Sequence, residues 1–158
     1  MTIQQLGSLG EFIAAIATLA TLIYLAIQIR RNTSIARATI IHQTNSAGMR
    51  ELELVAQNAD LAAIYDKGMK GESLTGTDLV RFIAIVEMYL IWLENVDSQN
   101  SAGLYFQGDD LDDVVDKLSG EIRELFSTPE VRQWWHHRAE RNYMDSFVKK
   151  INKHIDGD

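Results

Sequence analysis

The chain has 158 residues, a formal net charge of −7 and a pI near 5.0, and its length suits one ordinary domain better than two. Apolar residues make up 46% and charged residues 23%, which excludes a wholly disordered chain. The absence of cysteine excludes disulfides, thiolate metal sites and a cysteine nucleophile.

Charge is distributed unevenly along the chain. Residues 1–50 carry four arginines and one acidic residue, a sum of +3, whereas residues 51–158 carry eleven basic and twenty-one acidic residues, a sum of −10. A nucleic-acid interface needs a basic surface that replaces counterions. The acidic body therefore argues against a nucleic-acid partner.

The segment from Phe12 to Ile29 reads FIAAIATLATLIYLAIQI and contains no charged residue over 18 positions. Leu9 and Gly10 extend it to about 21 residues, or about 31 Å of helix, which matches a hydrocarbon core of about 30 Å. We therefore predict a transmembrane anchor in residues 1–32 and a cytosolic helical domain in residues 33–158. The alternative is the buried core helix of a soluble protein.

The flanks of this segment predict its orientation. No Lys or Arg precedes it, and Arg30-Arg31-Asn32 follows it, which is the reverse of a cleaved signal peptide. Because basic residues stay in the cytoplasm, we expect a single pass through the inner membrane with the N-terminus outside. Arg30, Arg31 and Arg37 would then lie at the anionic membrane interface.

Most polar groups of the segment fall on one side of the predicted helix. We call this side the polar seam, and it comprises Glu11, Thr18, Thr21, Gln28 and Asn32. Polar groups that face lipid are costly, and small residues beside them permit close helix approach. The seam predicts a homo-oligomer. A pore with a ring of Glu11 carboxylates and a monomeric anchor remain alternatives.

The rest of the chain has helical spacing and no period-two strand pattern, which predicts an all-α fold. The membrane helix either continues to about Ala56 or breaks at Thr33-Ser34-Ile35. Asp60 is expected to cap a short helix that stops near Gly71. Thr75 or Thr77 would begin a central buried helix whose solvent-facing edge carries three charged residues, Arg81, Glu87 and Glu94.

The second half of the body is predicted to contain a loop and three helices. Residues 97–108 form the loop, which fails the requirements of an EF-hand at its sixth and twelfth positions. Asp109 or Asp110 would cap an amphipathic helix with apolar residues at Leu111, Val114, Val115, Leu118, Ile122 and Leu125. Ser127 to Glu130 forms a capping-box sequence, and the last helix places Met144, Phe147, Val148, Ile151 and Ile155 on one face.

His136, His137 and Glu140 form the only compact group that resembles metal ligands. His136 and Glu140 share a helix face, but the spacing is not that of a zincin. A third ligand would have to come from His154 or an aspartate, so we predict neither a metal nor another cofactor. One ring of the Trp134-Trp135 pair is expected to fill the core and the other to lie at the surface or at the membrane interface. No motif of nucleophilic, phosphate-binding or dinucleotide chemistry is present, and we expect no enzymatic activity.

The first 33 residues carry a resemblance to a family. Leu22-Ile23-Tyr24-Leu25-Ala26, Gln28-Ile29-Arg30 and Asn32-Thr33 follow Glu11 in a pattern similar to that of a broad group of uncharacterised bacterial single-pass membrane proteins. Looser similarities continue through Trp92 and Arg132 to Trp134-Trp135. The resemblance implies a bacterial inner-membrane location and no particular activity.

Three functional hypotheses follow from the sequence. The first is a membrane protein that self-associates along the polar seam and acts as a scaffold or a channel-like assembly. The second is an accessory subunit that binds a larger membrane complex through the same seam. The third is a membrane-tethered enzyme or metal-binding protein that uses His136, His137 and Glu140.

Overall fold

A computed structural model describes residues 3–104 and 114–156, apart from the side chains of residues 5, 6, 9, 51 and 140. In these ranges the chain forms seven helices and no strand, which confirms the predicted all-α class. The helices are α1 (Ile3–Gln57), α2 (Ala59–Met69), α3 (Gly76–Ser101), α4 (Val114–Lys117), α5 (Ser119–Leu125), α6 (Pro129–Asn142) and α7 (Asp145–Ile155).

The chain divides into two compact units at Ile40 and Ile41. The first contains most of α1. The second, which we call the body, contains the end of α1 and helices α2 to α7.

Helix α1 is continuous over 55 residues and passes through Thr33 without a break. The Thr33 hydroxyl donates to the carbonyl of Ile29 at 2.9 Å, and Thr39 does the same to Ile35 at 3.0 Å. Because each hydroxyl bonds one turn back along the same helix, these threonines do not offer an N-cap. Of the two alternatives that the sequence left open, the continuous helix is the one that forms.

Helix α2 begins two residues earlier than a cap at Asp60 would place it. The Asn58 side chain accepts a hydrogen bond from the Leu61 N–H at 3.0 Å, so Asn58 is the N-cap and the prediction of Asp60 was wrong. Asp60 lies in the first turn, where its charge favours the helix dipole. The helix ends before Gly71, whose φ of 70° lets the chain turn away.

Helix α3 forms the centre of the body, as predicted. Thr75 precedes its first residue, and one face is buried along its length, with Phe82, Val86, Leu90, Leu93 and Val96 at most 2% exposed. Arg81 is exposed, and Glu87 and Glu94 are partly exposed, which agrees with the expected solvent edge.

The loop predicted from residue 97 begins later than expected. Residues up to Ser101 are helical. Asp97 forms an ion pair with Lys150, with 2.6 Å between Oδ1 and Nζ. The Gln99 side-chain amide donates to the Thr44 hydroxyl. These distant partners satisfy the polar side chains without ending the helix.

The helix predicted around residues 111–125 is divided into α4 and α5, which meet at Leu118. Val114, Val115, Ile122 and Leu125 are buried, so the predicted apolar face is confirmed for them. Asp109, Asp110 and Leu111 lie outside the described residues.

Helices α6 and α7 close the core. Pro129 is the first residue of α6, but the capping box is absent: Ser127 donates to the carbonyl of Gly68, and Ser73 donates to Glu130. Both contacts attach the start of α6 to α2 and the segment that follows it. This correction has a physical reason, since tertiary partners compete with the local cap.

The aromatic core of the body lies around Trp135. Its ring is fully buried and contacts Phe126 and Tyr143 with centroid distances of 5.6 and 5.1 Å. Its indole N–H donates to Asn152 of α7 at 2.8 Å. Trp134 is partly exposed, which matches the expected division of roles between the two tryptophans.

The last helix presents its apolar face to this core. Phe147, Val148, Ile151 and Ile155 are buried, whereas Met144 precedes α7 and is 48% exposed. The predicted face is therefore confirmed apart from Met144.

Candidate functional site

The first unit contains an exposed apolar surface on α1. Ten large apolar side chains between residues 12 and 29 are 47% to 65% exposed, namely Phe12, Ile13, Ile16, Leu19, Leu22, Ile23, Tyr24, Leu25, Ile27 and Ile29. Exposed apolar surface of this extent marks a contact with lipid or protein. Within the described residues, α1 is the one helix long and apolar enough to cross a membrane.

The threonines of the polar seam are satisfied inside α1. Thr18 donates to the carbonyl of Ala14 and Thr21 to that of Ala17, each at 2.8 Å. An unpaired hydroxyl in an apolar medium costs several kcal/mol, of order 2–7, and these bonds remove that cost. The seam therefore needs no outside partner for its hydroxyls.

The remaining seam residues lie near the ends of the apolar stretch. Gln28 donates from its side-chain amide to the Tyr24 hydroxyl at 2.8 Å, and Glu11 and Asn32 are exposed. Arg30 and Arg31 are exposed beyond the stretch.

Two small residues, Gly10 and Ala14, lie beside the polar seam on the same side of α1. A Cβ at Gly10 would meet no atom within 4 Å, so packing inside the chain does not require glycine there. Glycine inside a helix costs about 1 kcal/mol relative to alanine. An approaching second helix would supply the missing reason for a small residue.

The two histidines among the metal candidates contact different partners. His136 faces Asp156 at 3.9 Å between Nε2 and Oδ1, whereas His137 contacts the carbonyl of Gln133 at 2.7 Å. The Glu140 side chain lies outside the described part. Within that part, no group of three or more histidine and carboxylate side chains could hold a metal ion.

A cluster that sequence spacing did not indicate joins α4 to α7. One oxygen of Asp116 lies 3.3 Å from Lys153 Nζ and 2.7 Å from His154 Nε2. The hydrogen bond from Lys153, and then that from His154, lowers the pKa of the Asp116 carboxyl below its ordinary value of 3.8. The partners are 37 and 38 residues apart in sequence, so local patterns do not reveal them. The side chains of Asp116 and Lys153 are 50% and 59% exposed, whereas that of His154 is 12% exposed. The cluster connects α4 to α7.

A second charged region surrounds the Tyr143 hydroxyl. Burial raises the pKa of this phenol, and the carboxylates of Glu87 and Glu94 act in the same direction. Glu94 also accepts the Met144 N–H at 2.6 Å, which satisfies a free backbone donor at the start of α7. Glu94 thus has a structural role in addition to its place at the edge of α3.

The body contains a cleft of about 490 Å³ that sequence reasoning missed. Its walls include Gly48 of α1, Tyr65 of α2, Tyr89 and Trp92 of α3 and Glu121 of α5. The lining comes from four helices, so no single pattern identifies it. In the sequence, the one feature that points to this cleft is a glycine inside a long helix, Gly48.

Trp92 packs directly against Gly48. A Cβ at Gly48 would lie 2.8 Å from the indole Nε1, closer than real Cβ atoms approach. The pyrrole edge of the indole therefore rests on the backbone of α1, and it can do so only because residue 48 lacks a side chain. The Thr44–Gln99 pair, at 2.9 Å between Gln99 Nε2 and the hydroxyl, fastens the same stretch of α1 to α3.

The exposed apolar stretch of α1 and the cleft of the body are thus the two features from which a function can be argued. Comparison with protein-family models, curated proteins and solved structures finds no match to this chain.

Proposed function

We propose that this chain is a single-pass inner-membrane protein that self-associates along the polar seam of α1 and holds its helical body in the cytoplasm. The observation that carries the proposal is the charge-free stretch Phe12–Ile29 with its exposed apolar side chains. Complete burial of a large apolar side chain gains about 1.5–3 kcal/mol, and in water these side chains, about half exposed, forgo roughly half of that gain. Ten of them give a strong preference for an apolar surrounding.

Insertion into lipid is favourable by the composition of the stretch. Nine of its 18 residues are Leu, Ile or Phe. Each contributes about −0.3 to −0.6 kcal/mol at the helix centre, or roughly −3 to −5 kcal/mol together. The internal hydrogen bonds of Thr18 and Thr21 reduce the opposing polar cost.

The proposed orientation follows from the basic residues. Arg30, Arg31 and Arg37 come after the apolar stretch, and no Lys or Arg comes before it. Cytoplasmic flanks carry an excess of Lys and Arg, so the N-terminus is placed outside and the body inside. The inner membrane is proposed as the location from this same pattern of an apolar stretch followed by arginines.

Self-association is supported by the small residues that lie on the side of α1 that carries the polar seam. Gly10, Ala14 and Thr18 are four residues apart and lie on one side of the helix, which is the small-residue spacing of packed membrane helices. The Thr18 and Thr21 hydroxyls already bond their own helix, so close packing is the expected source of affinity.

Two alanine-to-leucine variants test the proposal with matched chemistry. Ala14 lies on the seam side, whereas Ala20 lies about 120° away around the helix. In detergent, light scattering coupled to size exclusion is expected to give a defined oligomer for the wild type and for Ala20→Leu. Ala14→Leu should raise the monomer fraction, because the added side chain separates the helices.

The outcomes distinguish the competing hypotheses. A monodisperse wild-type monomer, or equal effects of the two variants, contradicts self-association along the seam. Purification with an unrelated partner at a fixed ratio would instead favour an accessory subunit. If the assembly conducts ions, Glu11→Gln should change its cation selectivity in bilayer recordings, and an electrically silent wild type contradicts a pore.

A further inference from the structure

The cleft of the body has the size and lining of a small-molecule site. Its volume of about 490 Å³ lies within the usual range for such sites, about 300–1,000 Å³. Tyr65, Tyr89 and Trp92 supply aromatic surface, and Met69 supplies an adaptable thioether. The Tyr89 and Trp92 ring centroids are 5.6 Å apart.

The charge of the lining selects among ligands. Among the described residues of the cleft, Glu121 is the one charged side chain, and it is exposed at the rim. No lysine or arginine of the described part lines the cleft, so a carboxylate or phosphate would find no counter-charge. Aromatic faces attract cations through their quadrupole, and a carboxylate adds to that attraction.

We propose that this cleft binds a small organic cation with an apolar body, of the quaternary ammonium type. The apolar groups of the ligand occupy the aromatic and methionine-lined interior, and its positive charge lies toward Glu121 at the rim. This site is additional to the proposed membrane association, since every residue that forms it belongs to the body.

The position of Trp92 depends on Gly48. Because the indole rests on the backbone at Gly48, its place in the cleft is set by α1 as well as by α3. A side chain at residue 48 would displace the ring that helps to form the cleft. Gly48→Ala is therefore expected to weaken ligand binding without removing any group that contacts the ligand.

The experiment uses the full chain in dodecyl maltoside, a non-ionic detergent without a quaternary ammonium group. Tetrabutylammonium chloride is titrated by calorimetry, with hexan-1-ol and sodium hexanoate as neutral and anionic probes and empty micelles as the blank. Glu121→Gln removes the charge at the rim. Glu124→Gln is the matched control, because Glu124 is exposed on the same helix and does not line the cleft.

Saturable binding of tetrabutylammonium is expected, with hexanoate the weakest probe. Glu121→Gln should weaken the cation about three- to fivefold, as for a partly exposed ion pair, and leave hexan-1-ol unchanged. Glu124→Gln should change neither the affinity for tetrabutylammonium nor that for hexan-1-ol. The proposal is overturned if tetrabutylammonium does not bind above the blank, if hexanoate binds as tightly, or if the two glutamine variants behave alike.

Discussion

Gly68 lies where α2 meets α3, and replacing it with alanine should destabilise the body. A Cβ at this position would overlap three atoms of the Phe82 ring. Phe82 is 0% exposed, so its ring has no solvent-filled space into which it could move. Overpacking of this kind costs about 1–3 kcal/mol, whereas the helix propensity of alanine returns at most about 1 kcal/mol. Because three ring atoms of a fully buried side chain are involved, the cost lies in the upper part of this range, about 2–3 kcal/mol, and we expect a net loss of about 1–2 kcal/mol.

The assay is urea unfolding in dodecyl maltoside followed by tryptophan fluorescence. Gly120→Ala is the control, since a Cβ at Gly120 would meet nothing within 4 Å inside α5, and it should raise stability by up to about 1 kcal/mol. If Gly68→Ala is as stable as the wild type, or if both variants lose stability equally, the contact of Gly68 with Phe82 does not limit the packing of α2 on α3.

Two further predictions concern ion pairs of the body. Lys150→Met should cost about 3 kcal/mol in urea unfolding, because it leaves the buried Asp97 carboxylate without its 2.6 Å partner. The second concerns Asp116, whose pKa is lowered by Lys153 and His154, so its stabilising effect is present above pH 3.8 and is lost as the pH falls through the lower folded-state pKa. The free energy of unfolding of Asp116→Asn should therefore not show this loss when the pH is lowered through that range.

Each of these predictions has its own contradictory result. Lys149→Met changes an exposed neighbour of Lys150, so equal losses in the two variants would show that the pair with Asp97 is not the cause. For Asp116→Asn, an acid-unfolding curve that runs parallel to that of the wild type at every pH would show that the bonds to Lys153 and His154 do not contribute.

Local patterns in the sequence were sufficient to predict most of the helices. The apolar residues of α3 and α7 recur at intervals of three and four, and this spacing alone places them on a buried face. The absence of proline in α1 permits a continuous helix, but the sequence equally leaves open a break at Thr33-Ser34-Ile35, and only the structure shows that α1 is continuous. The buried faces of α3 and α7 depend on residues within two turns of one another.

The predictions were wrong mainly at positions whose side chains contact residues far away in sequence. Asp97 opens a polar stretch, which predicts a loop, but Lys150 pairs with it from 53 residues away and the helix continues to Ser101. Ser127 and Glu130 fit a capping box, yet each bonds a residue of the α2–α3 region instead. At Asn58 and Asp60 the difficulty was different, because both residue types are good N-caps and local rules do not rank them.

The candidate sites differ in how far the sequence revealed them. The apolar stretch of α1 is visible in the sequence because membrane insertion depends on a continuous run of residues. The cleft is not visible, because Gly48, Tyr65, Trp92 and Glu121 come from four helices and have no common spacing. The histidines of α6 are adjacent in sequence, but in the described part of the chain His136 and His137 contact different partners.

The most direct test of the account is the topology of α1. Because the chain contains no cysteine, a single introduced cysteine is the one thiol that can be labelled. Single cysteines are introduced in place of Ser8, before the apolar stretch, and Ser146, in the body. In spheroplasts, a membrane-impermeant maleimide should label Ser8→Cys at once and Ser146→Cys only after the membrane is permeabilised. Labelling of both sites in intact spheroplasts, or recovery of the protein in the aqueous fraction without detergent, would contradict a membrane-spanning α1 with its N-terminus outside.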